Sequence, residues 1–292
     1  MANLKELRSR IKSVNSTLQI TSAMKMVSAA KLRQAQNAIT SFRPYSEKLK
    51  ELLNNLSDDT DISKNNVFFN REEENNILII LVTGNKGLCG AFNSNVIKKS
   101  KEQLDIFSSK KVDFLTIGKK GHNYIKKSKQ NLLEEANMLV DKASYNNNAE
   151  LADKIIESYV NKKYDKVLIC YNKFKNAANQ IAKVEQILPI RKETKTEQEN
   201  NTTTSIDYIF EPSKKELLNS IIPKTIKSQL HKSILDSIAA EHGARMTAMH
   251  KATDNATELN KDLKLSYNKA RQASITGEIL EIVGGAEALK NN

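Results

Sequence analysis

The feature that most limits how this chain can fold is a long stripe near its C-terminal end. Met249, Ala252, Ala256, Leu259, Leu263, Ser266, Ala270, Ala273, Gly277 and Leu280 recur at spacings that alternate strictly between three and four. That is the seam of a helix paired with another helix. From Lys224 no Pro interrupts the chain, so the seam predicts a rod of roughly 100 Å. Small residues on a seam let two backbones approach closely, although each buries less area than Leu or Ile. A helix this long needs a partner along its length.

The N-terminal segment offers one. Leu4, Leu7, Ile11, Val14 and Leu18 repeat the same spacing, followed less regularly by Ile20, Met24, Val27, Leu32, Ala35 and Ile39. Asn3 with Glu6 three residues on has the spacing of a capping box. The two terminal helices are expected to pair antiparallel. Composition agrees: 9 Gly and 4 Pro in 292 residues suit long helices and argue against a turn-dense all-β fold.

The middle of the chain has a different pattern. Residues 57–76 are polar and read as a linker. Ile77 to Thr83 is a continuous apolar run, as in a strand buried on both faces. A helix from about Ala91 to Phe107, strands at 112–117, 167–171 and 181–190, and a helix from Ala149 to Asn161 give the alternation of an α/β sheet. The polar stretch 191–204 reads as a mobile loop, with a short strand at 206–210. Ser213 and Glu216 have capping-box spacing at the start of the last helix. The expected organisation is an N-terminal coiled-coil helix (1–56), a linker (57–76), a Rossmann-like α/β domain (77–210) and a C-terminal coiled-coil helix (212–292).

Gly84-Asn85-Lys86-Gly87-Leu88-Cys89-Gly90 follows the strongest strand and opens a helix, where doubly wound sheets hold phosphates. Its spacing is neither G-x-G-x-x-G nor a Walker A sequence. Gly84, Gly87 and Gly90 are therefore read as a structural turn that needs positive φ and close packing. A nucleotide-dependent enzyme is the competing reading.

No catalytic constellation stands out. His122, His231, His242 and His250 lack metal-ligand spacing, so neither a metal site nor a cofactor is expected. Cys89 and Cys170 are too few for a disulfide framework and fit a reducing setting. No apolar run approaches the length of a membrane span, and Met1 to Glu6 has no signal-peptide core. The formal charge of +12 is concentrated on residues 1–50, which admits a basic coiled-coil protein on nucleic acid or a membrane surface. Few aromatics accompany those cations, which argues against nucleic acid.

Several stretches resemble one family. Ile20 to Lys31, then Arg43-Pro44-Tyr45, are similar to the N-terminal motifs of the gamma subunit of F-type ATP synthase. Thr83 to Gly90 resembles its first strand-turn, and Arg245 to Met249 with Ala252 to Ala256 are family-like. Asn268 to Ile279, running into Glu281 to Ala286, resembles its C-terminal signature. The resemblance implies a non-catalytic rotor shaft whose paired helices stand inside a ring of alpha and beta subunits. It implies further partners in epsilon and the membrane c-ring, with delta as a further candidate, and neither nucleic acid nor a small-molecule substrate. Rotation driven by the proton gradient would reach the beta subunits for ATP synthesis, and the shaft would regulate ATPase activity and proton flow. It implies a peripheral position on the cytoplasmic face of a bacterial inner membrane. Met24, Arg245, Arg271 and Gln272 match positions that meet the alpha-beta ring. Neither cysteine lies in a paired insert like that of chloroplast relatives, so no thiol switch is implied.

Overall fold

The computed structural model describes residues 4–57, 66–71, 74–141, 143–191, 211 and 213–290. The Asn3 cap, most of the linker, nearly all of the 191–204 loop and the 206–210 strand lie outside the described residues. In chain order the elements are α1 (Leu4–Ser57), β1 (Asn76–Val82), α2 (Phe92–Ile106), β2 (Lys111–Ile117), α3 (Lys119–Lys127) and β3 (Asn131–Glu135). Then come α4 (Met138–Asp141), α5 (Tyr145–Val160), β4 (Lys166–Phe174), β5 (Gln180–Leu188) and α6 (Lys214–Lys290). Helix α1 runs through Pro44 and helix α6 through Pro223. The chain forms two compact units, 29–245 and 1–28 with 246–292, so the division falls inside both long helices.

The 29–245 unit is built on a five-stranded sheet of order β3-β2-β1-β4-β5. All neighbours are parallel except β4 and β5. Central strand β1 is buried on both faces, which is why Ile77 to Leu81 can be uniformly apolar. Ile77, Ile79 and Leu81 face Val96 of α2 and Ile125 of α3. Leu78 and Ile80 face the other way, onto Leu151, Ile155 and Tyr159 of α5. The same layer takes Leu53 and Leu56 of α1 and Leu218, Ile222, Ile226 and Leu230 of α6. The Ser213–Glu216 signal is real: the Glu216 N–H donates to Ser213 Oγ at 3.3 Å.

Strand β3 and helices α3 and α4 are additions to the sequence-based expectation. Strand β3 alternates half-buried and exposed positions at the sheet edge, so Asn-Leu-Leu-Glu-Glu carries no apolar run to mark it.

The other unit is an antiparallel helix pair. Asn15 accepts from Asn260 Nδ2, Thr253 Oγ1 lies 2.9 Å from Thr21 Oγ1, and Lys25 Nζ lies 3.5 Å from His250 Nδ1. Partner numbers fall as α1 numbers rise, which is the expected antiparallel sense. The seam itself needs correction. Met249, Ala256, Leu263, Ala270 and Gly277 are on it, but the positions between them are Thr253, Asn260 and Tyr267. Leu259 is 50% exposed, whereas Asn260 is 8% exposed. The α1 stripe likewise passes through Thr21, Lys25 and Ser28, leaving Ile20 and Val27 exposed. With those polar members included, the three-four alternation of α1 holds from Leu4 to Leu56. An apolar-only reading misplaced half the seam because its polar members satisfy one another across the pair.

Candidate functional site

The Gly84–Gly90 turn lies at the C-terminal end of β1, next to β4, where this strand order reverses direction. In other doubly wound sheets that crevice receives a ligand. Here the chain fills it. Ala240 and Ala244 of α6 pack on Cys89 and Phe92, with Phe174 beside them. Glu241 lies against Gly84 and forms an ion pair with Arg245, 2.7 Å apart, both side chains more than nine-tenths buried. Arg245 also donates to the Lys86 carbonyl at 3.3 Å and, through Nε and Nη2, to the Gly87 carbonyl at 3.4 and 3.3 Å. One guanidinium therefore fastens α6 to the turn.

Donors that could cradle a phosphate are also engaged. The Gly84 N–H donates to Asn93 Oδ1 at 2.9 Å, and the Lys119 N–H at the start of α3 donates to Asn85 Oδ1 at 3.0 Å. Asn85 Nδ2 donates to the Asn137 carbonyl, and Gly121 N–H donates to Thr83 Oγ1 at 2.8 Å. The arrangement braces the turn and occupies the N–H groups of Gly84, Lys119 and Gly121.

The two grounds given for these glycines, positive φ and close packing, fall on different residues. Positive φ occurs at Leu88 and Gly90, not at Gly84 or Gly87. A Cβ on Gly87 would make only ordinary contact with Lys120, but a Cβ on Gly84 would fall 2.7 Å from the Glu241 carboxyl carbon. Gly118 has φ of 105° and its Cβ would meet the Thr83 carbonyl oxygen at 2.1 Å, so only glycine fits there.

Both thiols are buried, and burial raises their pKa, that of Cys170 to about 12. Among the described residues no three His, Cys, Asp or Glu side chains stand together as a metal site would require. No helix of the described residues is long and apolar enough to cross a membrane.

The four residues singled out for a partner ring are not brought together. Arg245 is buried and occupied within the 29–245 unit, so in this chain it does not present free donors. Met24 is half-buried on α1, and its carbonyl accepts from Ser28 Oγ at 2.7 Å. Arg271 and Gln272 are exposed on α6, followed by an apolar surface of Ile275, Ile279, Leu280, Ile282 and Val283. Sequence reasoning passed over Glu241, which clasps the turn with Arg245. Its i to i+4 spacing from Arg245 was the available signal.

The fold is thus a doubly wound sheet whose crevice at the Gly84–Gly90 turn is occupied by side chains of its own helix α6. A family model described as ATP synthase matches residues 3–289. The chain is 55% identical to the ATP synthase gamma chain of Flavobacterium johnsoniae over 289 residues, 99% of each chain. It is 48% identical to that of Cytophaga hutchinsonii, covering the whole of both. Among solved structures, a chain of the Euglena gracilis mitochondrial ATP synthase rotor matches with a TM-score of 0.67 at 20% identity, covering 93% of this chain and 98% of that one. A chain from the central stalk and c-ring of the Tetrahymena thermophila mitochondrial enzyme gives 0.59 at 22%, covering 80% and 99%. The chain belongs to the ATP synthase gamma chain family. Nothing in these relatives supports a nucleic-acid or membrane-surface coiled coil.

Proposed function

We propose that the chain is the central rotor shaft of an F-type ATP synthase. It would carry rotation from the c-ring to the catalytic beta subunits, and regulate ATPase activity and proton flow. The full-length likeness to gamma chains carries this reading. The physical arrangement supports it. A shaft that transmits torque needs its long helix fastened to its sheet, and the Glu241–Arg245 clasp on the turn is such a fastening. The plugged crevice supports a non-catalytic role, with ATP chemistry left to the beta subunits. The outward face at Ile20, Met24 and Val27, together with Arg271 and Gln272, is the surface offered to an alpha-beta ring. Epsilon and the c-ring complete the partners, with delta as a further candidate and the assembly on the cytoplasmic face of the bacterial inner membrane. The test is purification from membranes through a tag on this chain. Alpha and beta are expected to co-purify in threefold excess over it, with epsilon present. Recovery of the chain without alpha and beta would overturn the assignment.

A further inference from the structure

The 29–245 unit contains a cavity of about 230 Å³ beside the clasped turn. Three elements bring charge to it. Helix α1 supplies Lys31, the turn supplies Lys86, and α6 supplies Glu241, His242 and Arg245. Glu241 and Arg245 neutralise each other at 2.7 Å, which leaves the two ammonium groups in excess. Neither the Lys31 nor the Lys86 side chain has a hydrogen-bond or ion-pair partner among the described residues. Both lysines line the cavity from exposed positions, so an anion placed there meets two cations. The remaining wall is apolar, formed by Val140, Leu235 and Ile238, with Gln34 as a neutral hydrogen-bonding group and Asn85 tied to the Asn137 carbonyl and the Lys119 N–H. Such a mixture of apolar wall and a few converging polar groups is typical of small-molecule sites. The cavity falls below the roughly 300 Å³ at which pockets for drug-sized ligands begin, which favours a small occupant.

We propose that this cavity binds a small organic anion, its phosphate or carboxylate held by Lys31 and Lys86 and its apolar body against Val140, Leu235 and Ile238. The occupant bridges α1, the turn and α6, adding a second tie beside the Arg245 clasp. Ligand bound only by the folded chain stabilises it. The inference stands on these residues and is independent of the rotor assignment.

The test uses the full chain, with phenyl phosphate as probe and inorganic phosphate and benzyl alcohol as controls, followed by calorimetry and thermal melting. Phenyl phosphate is expected to bind at one site and raise the melting temperature, with affinity falling as salt is added. Inorganic phosphate is expected to bind about tenfold more weakly because it leaves the apolar wall uncovered, and benzyl alcohol not to bind measurably. Both lysines are exposed, so Lys31→Gln with Lys86→Gln should fold and lose at least about tenfold in affinity through the missing charges. The paired Lys→Arg variant should retain binding. Ala38→Phe, which places a ring at the cavity lining from an exposed position, should block the probe. Absence of phenyl phosphate binding overturns the proposal. So does binding unchanged in the double Gln variant, which would place the anion on other cations of a chain with a formal charge of +12. Equal affinity for inorganic phosphate also overturns it, as an adventitious ion only.

Discussion

Glu241 lies so close to Gly84 that a Cβ at residue 84 would come within 2.7 Å of its carboxyl carbon and 2.8 Å of Oε1. The carboxylate has little freedom to retreat, because Arg245 holds it while also gripping the carbonyls of Lys86 and Gly87. Gly84→Ala is therefore expected to lower stability by about 1–3 kcal/mol, the usual cost of overpacking a tight contact. Gly87→Ala, whose Cβ would lie 3.8 Å from Lys120, is expected to stay near wild type. Urea melts of the two variants check the pair. Equal losses would remove Glu241 from the explanation of this turn.

A second contrast separates two adjacent residues on α6. Leu259 is half exposed, so Leu259→Asp should change stability by no more than about 0.5 kcal/mol. Asn260 is buried and donates to Asn15, and its own Oδ1 has no partner. Asn260→Asp removes the donor and sets a charge among buried polar atoms. It should cost about 1–3 kcal/mol as the Asn15 acceptor loses its partner. Circular dichroism melts of the full chain measure both, and a larger loss at Leu259 would return the seam to the apolar register.

How much could be read from sequence depended on whether the cause was local. Strand β1 announces itself because burial on both faces demands an unbroken apolar run from Ile77 to Val82. The terminal helices were legible from periodicity, and so was their antiparallel pairing. Half the seam was not, because Thr21, Thr253 and Asn260 are polar residues that sit on it and bond across the helix pair. Strand β3 was missed since an edge strand exposes alternate residues and needs no apolar run. The turn's glycines were noticed, but which of them matters is decided by Glu241, remote in sequence. For the same reason Arg245 reads from sequence as facing a partner, whereas Glu241 and the Lys86 and Gly87 carbonyls of its own chain take its donors.

His231 gives the folded state a definite response to pH. Its ring is buried, 2.6 Å from Asn148 Nδ2 through Nδ1 and edge-on to Phe42 and Tyr145. Burial lowers its pKa from 6.5 to about 4. The unfolded chain thus takes up a proton below about pH 6.5 that the folded chain refuses until about pH 4. This contribution to stability is complete above that window and is lost as pH falls through it. The melting temperature should drop by several degrees between pH 7.5 and pH 5. His231→Gln keeps an acceptor for Asn148 but cannot titrate, so it should show a smaller drop. An identical drop in the variant would assign the pH response elsewhere.

Met24 tests the rotor assignment at a single side chain. It stands at the border between the seam and the outward face of α1, half-buried, with Ile20 and Val27 exposed on either side. A thioether there is apolar and flexible, so it can slide along a neighbouring loop without fixing to it. Lys in its place adds a long cation beside Lys25, able to pair with a carboxylate on a beta subunit. An ion pair that must break at each rotary step needs only ~1 kcal/mol to slow that step several-fold. Met24→Lys is therefore expected to assemble normally but couple ATP hydrolysis poorly to proton pumping. Arg271→Ala and Gln272→Ala should act in the opposite sense. Under the rotor reading they remove exposed donors available to ring loops, so hydrolysis should slow while its coupling to pumping holds. Complexes reconstituted in vesicles allow hydrolysis and pumping to be measured together. A wild-type ratio in Met24→Lys would remove Met24 from the ring interface, and normal hydrolysis in both Ala variants would do the same for Arg271 and Gln272.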